Sequence, residues 1–236
     1  MFLENYCTVI NDQVSFTRQQ GSDFAKKIAD DFNPLHDINA KRFCVPGDLL
    51  FALILEKAGL HKEMSFTFSG MISDNIPLNI PEEIINNAKV TDDKGKEYMS
   101  IHVNGDVNKN KKAINSLTRA YVGFSGHTFP KILVALMEEH QVMINPARPM
   151  IMYEKMSIEL DDLNFENISL NLTNTSLKIE GKRGTACLSF SLENEDKIIG
   201  HGKKFMLLSG LRPYCQDTID AIVEDFHQKK SDFLTQ

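Results

Sequence analysis

Six consecutive residues, Asp31-Phe32-Asn33-Pro34-Leu35-His36, hold a carboxylate and an imidazole separated by an Asn-Pro pair. Asn bonds its own backbone and Pro fixes its φ, so the pair forces a turn that can aim Asp31 and His36 at one point. A carboxylate beside an imidazole is a general acid–base pair: Asp holds or activates a water, and His titrates near neutral pH. The carboxylate raises the imidazole pKa while burial lowers it, so spacing alone does not give the net sign. Asp-x-Asn-Pro turns also occur as plain structural devices, and on spacing alone both readings stand. Further along, Gly47 stands at the head of an apolar run. Backbone N–H groups at a helix start point outward and carry partial positive charge. Glycine has no side chain to block a ligand there. That arrangement suits a carbonyl oxygen that becomes an oxyanion. The acid–base pair and the N–H donor together suit proton chemistry next to a thioester or similar carbonyl.

These groups need elements to hold them. Tyr6 to Thr17 alternates weakly and reads as a strand. Thr17 can cap a helix from about Arg18 to Asp30, with Phe24, Ala25 and Ile28 on one face. Asn33-Pro34 ends it, because the residue before a proline is pushed out of the helical region. Pro46 and Gly59 bracket a second helix whose run Leu49 to Leu55 is apolar on every side, so protein must surround it. Period-two patterns follow at 64–71 and 98–103, with Asp92-Asp93-Lys94-Gly95 as a hairpin turn, and Ala113 to Phe124 reads as another strand.

The second half repeats the order. A helix is expected from about Thr128 to His140, starting at Gly126-His127 as the earlier one starts at Gly47-Asp48. Strands are expected near 151–160, 168–172, 177–180, 183–192 and 197–208, then a final helix over about 213–233. A buried apolar helix wants a strongly curved antiparallel sheet around it. Two such units side by side would bury both helices and join their sheets at the edges. The expected class is therefore α+β, a continuous curved antiparallel sheet wrapping two long central helices, plus a C-terminal helix. The expected division is 1–112, 113–212 and 213–236.

Composition bounds the rest. The 236 residues carry 26 Lys+Arg against 32 Asp+Glu, a net charge of −6, which argues against a nucleic-acid partner. No apolar run approaches the ~20 residues of a membrane-spanning helix. Met1 to Asn5 has neither the basic region nor the apolar stretch of a signal peptide, which points to a cytoplasmic location. Cys7, Cys44, Cys187 and Cys215 lie far apart, so a disulfide scaffold or cysteine-based zinc site is not expected, and no metal is assigned.

Asp31, Asn33, Pro34, Leu35 and His36, followed by Gly47 at the head of the long helix, resemble the motif of MaoC-like (R)-specific enoyl-CoA hydratases. The close match covers about residues 18–56. The family fold is the hotdog, and two pattern repeats in one chain imply a double hotdog, similar to a proteobacterial branch of that superfamily. The resemblance implies hydration or dehydration of an acyl thioester, enoyl-CoA or enoyl-carrier protein to 3-hydroxyacyl. It gives Asp31 and His36 the water or proton that moves across the double bond, and the Gly47 N–H the thioester carbonyl. Asn33 and Pro34 support the turn. No cofactor is implied beyond the coenzyme A or carrier pantetheine of the substrate.

The sequence also departs from that family. Pro46 stands where His is common, as in acyl-carrier-protein dehydratases. Asp48 puts a negative charge beside the presumed oxyanion donor, where it either complements the helix dipole or repels the oxyanion. The second half has no such motif, so one site per chain is expected. No basic cluster for coenzyme A phosphates is evident; Lys109, Lys111 and Lys112 read as a solvated turn. A non-catalytic acyl-thioester-binding protein and a thioesterase are the alternatives. The partner expected is the acyl-thioester substrate, with a monomer or a homodimer of such chains.

Overall fold

The structure is a computed structural model and describes residues 3–235. A hairpin of β1 (Thr8–Ile10) and β2 (Gln13–Ser15) leads to α1 (Arg18–Lys27). Helix α1 begins as expected: the Thr17 side chain accepts from Gln20 N and the Gln20 side chain accepts from Thr17 N, a reciprocal cap. After the short 3-10 turn Pro34–His36 comes α2 (Gly47–Ala58). Then follow β3 (Leu60–Phe68), β4 (Leu78–Asn79), β5 (Asn87–Asp92) and β6 (Glu97–Asn108). Next are α3 (Lys111–Gly126), α4 (Lys131–Glu139), β7 (Val142–Met143) and β8 (Ile151–Leu160). The chain closes with β9 (Ile168–Glu180), β10 (Arg183–Asn194), β11 (Lys197–Ser209), β12 (Arg212–Pro213) and α5 (Gln216–Leu234).

Ten strands form one antiparallel sheet in the order β1-β2-β4-β5-β6-β3-β8-β11-β10-β9. The two strand groups meet where β3 pairs with β8, Phe66 opposite Met156. That junction removes one edge from each group, as the sequence led us to expect. Leu49 to Leu55 are all buried, with Ala58 beyond them. Each such Leu, Ile or Phe contributes roughly 1.5–3 kcal/mol by leaving water. Helix α2 packs on α3 and β3, and α3 packs on β9. The architecture is the α+β double hotdog, two central helices held by a continuous antiparallel sheet, with α5 added.

Three expectations are corrected. Ala113 to Phe124 is not a strand but most of α3. Its buried residues Ala113, Ile114, Leu117, Thr118, Tyr121, Val122 and Ser125 fall three or four apart, and Asn110 caps the helix by accepting from Lys112 N. The second central helix is therefore α3, and the helix near 128–140 is the shorter α4. Gly126 does not start a helix; it ends α3. A Cβ there would lie inside the Ala29 carbonyl, so glycine lets α3 abut the end of α1. The segments at 168–172 and 177–180 join into the single strand β9.

Candidate active site

The Asp31–His36 turn is built by its own side chains. Asp30, at φ 54°, turns the chain out of α1. Asp31 N donates to Ala25 O at 2.8 Å. Asp31 Oδ1 then accepts from Asn33 N at 2.9 Å, and Asn33 Oδ1 accepts from Leu35 N at 3.1 Å. His36 N closes the turn on Asn33 O at 2.9 Å.

His36 Nδ1 lies 2.6 Å from Cys44 O. A carbonyl only accepts, so Nδ1 carries the proton and donates. The other ring nitrogen, Nε2, faces Asp31 Oδ2 at 3.6 Å. With the imidazole neutral, Nε2 and Oδ2 are both acceptors, held apart by just over a direct hydrogen bond. Such a pair is arranged to share a donor placed between them, a water or a hydroxyl.

Asp31, His36 and Gly47 line one cavity of about 540 Å³, together with Asn33 and Pro34. Much of the remaining wall is apolar, including Leu50, Leu133, Ile144, Met152, Met206 and Ile222. At Gly47, a Cβ would meet the Phe68 ring at 2.9 Å and the Tyr153 ring at 3.0 Å, and those rings stack with centroids 4.4 Å apart. Gly47 is the first residue of α2, so its N–H has no intrahelical partner. Cys44 also lines the cavity, and burial pushes its thiol up to about 11, which keeps it protonated at neutral pH.

One wall comes from α5, through Thr218, Ile222, Asp225, Phe226 and Lys229. Phe226 packs edge-on against Phe32 at 5.8 Å and against Phe129 at 5.4 Å. The residue between Asp31 and Asn33 thus anchors the C-terminal helix over the cavity.

Sequence reasoning singled out Asp48 but missed its partners in this cavity, Ser125 and Lys204. Asp48 does not lie open beside Gly47. Its Oδ2 accepts from Ser125 Oγ at 2.5 Å, and Ser125 Oγ accepts in turn from Lys204 Nζ. Asp48 is 6% exposed and Lys204 4%. Burial raises the Asp48 pKa, opposed by the Lys204 charge; burial lowers that of Lys204, opposed by Asp48. Lys204 also lies over the Tyr153 ring at 4.5 Å. A signal for Lys204 existed: on β11 it shares the inward register with Gly202, Met206 and Leu208. Ser125 would have surfaced with α3 read as a helix.

The remaining candidates lie elsewhere. His127 bonds Asp30 Oδ2 at 2.9 Å on the surface, where Lys230 meets the same carboxylate. His201 is exposed. Lys109 and Lys112 pair with Glu83 and Glu166. Among the described residues no group of three or more His, Cys, Asp or Glu could hold a metal ion, and no helix is long and apolar enough to cross a membrane.

Residues 1–217 match the family model described as "Protein of unknown function (DUF3581)". The chain belongs to that family. The DUF3581 match ends as α5 begins, so most of that helix lies beyond it. No curated protein matches the sequence. Among solved structures, the chain is similar to a conserved protein of unknown function with hot dog fold from Alicyclobacillus acidocaldarius. There the TM-score is 0.46 at 8% identity, over 91% of this chain and 99% of that one. It is also similar to a tesB protein of Mycobacterium avium subs paratuberculosis, at TM-score 0.45 and 10% identity over 70% and 87% of the two chains. The acyl-CoA thioesterase II TesB2 of Mycobacterium marinum gives TM-score 0.44 at 10% identity over 92% and 99%. The fold of this DUF3581 chain rests on its own strand order and buried helices.

Proposed function

We propose that this protein is an enzyme that hydrates an enoyl thioester to the 3-hydroxyacyl thioester, or runs the reverse dehydration. The observation that carries the reading is the pair of facing acceptors, His36 Nε2 and Asp31 Oδ2, 3.6 Å apart on the wall of an apolar cavity. In hydration, a water between them gives one proton to Nε2 while its oxygen bonds to C3. The C2=C3 pair of electrons moves toward the thioester carbonyl, whose oxygen takes the Gly47 N–H. The proton on Nε2 then passes to C2, so the imidazole ends neutral and water has been added across the double bond. Asp31 orients the water and stabilises the transient imidazolium, and the Nδ1–H bond to Cys44 O fixes the ring throughout. The apolar walls receive the acyl chain, and the coenzyme A or carrier pantetheine belongs to the substrate.

The same two groups, directing a water at the carbonyl carbon instead of C3, would hydrolyse the thioester, so the assay must tell the products apart. The test is turnover of enoyl thioesters of four to ten carbons by wild type, Asp31→Asn and His36→Ala. Each substitution is expected to lower kcat/KM by ~10²–10⁴, the usual contribution of general acid–base catalysis. Wild-type protein inert on every chain length, or variants as active as wild type, would falsify the reading.

A further inference from the structure

Helix α5 runs along the cavity, and the side chains it presents there change character from one end to the other. Its C-terminal half holds the catalytic turn. Phe226 and Phe233 each pack edge-on against Phe32 at 5.8 Å, and Lys230 pairs with Asp30. The level of Phe226 on the helix is therefore the level of Asp31. From there toward the C-terminus the cavity-lining residues of α5 form an ion pair, Asp225 with Lys229 at 2.8 Å. Toward the N-terminus they are Ile222, Ala221 and Thr218. Across the cavity from this half stand Leu133, Ile144 and Met206, which pack with Ile219 in the second hydrophobic core.

An alkyl chain gains by leaving water for apolar surface, and desolvating an ion pair would cost it that gain. The tail of a bound acyl group therefore runs from the Asp31–His36 pair toward the N-terminal end of α5. At ~1.5 Å per residue, Ile222 lies about 6 Å and Thr218 about 12 Å along the helix from Phe226. An extended chain advances roughly 1.2 Å per bond, a third of the ~3.5 Å of an extended residue. With C3 at the acid–base pair, about five bonds bring the tail level with Ile222 and about ten bring it level with Thr218. We infer that α5 gauges the acyl chain, that the cavity takes a medium-chain acyl group of roughly eight to twelve carbons, and that Ile222 is the specificity-determining residue at about the eighth carbon. The inference rests on the acyl-thioester reading of the cavity and deepens it by naming the length class. The gauge lies almost wholly beyond the residues that match the family model.

The test is binding to the full chain, by titration calorimetry, of saturated acyl-pantetheine amides of four to fourteen carbons. Nitrogen replaces the thioester sulfur, so none is turned over. Wild type is expected to bind about tenfold tighter for each two carbons added, the worth of two buried methylenes, up to about twelve carbons and no tighter beyond. Ile222→Trp blocks the branch, so its gain should stop near eight carbons and leave the twelve-carbon amide about a hundredfold weaker than with wild type. Ile222→Ala only removes atoms; it should bind amides of eight carbons or more severalfold weaker than wild type, relative to the four-carbon amide. Glu224→Trp adds the same bulk to the exposed face of α5 and is expected to keep the wild-type series. A wild-type series that gains nothing beyond six carbons, or still gains beyond twelve, overturns the length class. Ile222 variants that follow the wild-type series, or a Glu224→Trp series cut short like that of Ile222→Trp, overturn the assignment to Ile222. The expected series without turnover of any enoyl thioester keeps the gauge and overturns only the hydratase reaction. Binding of no amide overturns the inference together with the acyl-thioester reading on which it rests.

Discussion

Lys204→Met strips the counter-charge from a buried carboxylate, one of whose oxygens, Oδ1, has no hydrogen-bond partner. Asp48 and Lys204 are 6% and 4% exposed and joined only through Ser125. Removing one member of a buried pair typically costs about 3–5 kcal/mol, because the survivor stays charged in a poorly solvating site. For a chain of this size a kilocalorie shifts Tm by ~2–4 °C, so the single variant should melt roughly 6–20 °C below wild type. The double variant Asp48→Leu/Lys204→Met should regain most of that loss, since hydrophobic replacement of a buried pair is often neutral or better. The pH dependence has a definite sign. Burial already raises the Asp48 pKa against the pull of Lys204, and in Lys204→Met that pull is gone. A carboxyl whose folded pKa exceeds its unfolded value favours the folded state at low pH and loses that contribution as pH rises through the folded pKa. The deficit of Lys204→Met relative to wild type should therefore shrink as pH falls from neutral toward the ordinary carboxylate range. Urea unfolding of wild type, both singles and the double, at several pH values, measures all of this. A single variant within about 1 kcal/mol of wild type with no coupling in the four-way cycle would show that the two charges do not meet.

Other substitutions probe the surrounding elements. Gly47→Ala should cost about 1–3 kcal/mol, because its methyl meets the stacked Phe68 and Tyr153 rings at 2.9 and 3.0 Å; denaturant unfolding reads it. Gly126→Ala should be worse, at or above the top of that range, since the obstacle is the Ala29 carbonyl, which cannot rotate away as a side chain can. Phe226→Ala removes the ring that packs on Phe32 and Phe129 and should cost roughly 3 kcal/mol. Hydrogen exchange should then accelerate along α5 while α2 stays protected; unchanged exchange in α5 would show that other contacts hold the helix.

Much of this was legible because it is local. Leu49 to Leu55 is apolar at every position, and only a surrounded helix fits that run between Pro46 and Gly59. The Asp31–His36 turn closes within six residues through Asn33, so its geometry is written in consecutive side chains. The failure at α3 came from polar residues interleaved with Ala113, Ile114, Leu117, Tyr121 and Val122, a mixture read as strand although the spacing is helical. Ser125 and Lys204 stand 79 residues apart, and only the pairing of the sheet around α2 and α3 brings them to Asp48. No local pattern reports such a meeting; the sequence could show only that Lys204 keeps inward register with Met206 and Leu208. Asp48 was visible as a charge beside Gly47, but its partners were not, and they decide whether it repels an oxyanion or is compensated.

The central claim is that Asp31 and His36 hold a water against C3 of a bound acyl thioester. Incubating the protein with an enoyl thioester in heavy-oxygen water and locating the label by mass spectrometry tests it most directly. The account predicts heavy oxygen in the 3-hydroxyl of an intact thioester, and none when His36 is alanine. Label in a free carboxylate with release of thiol, or product formed equally by the His36→Ala protein, would contradict it.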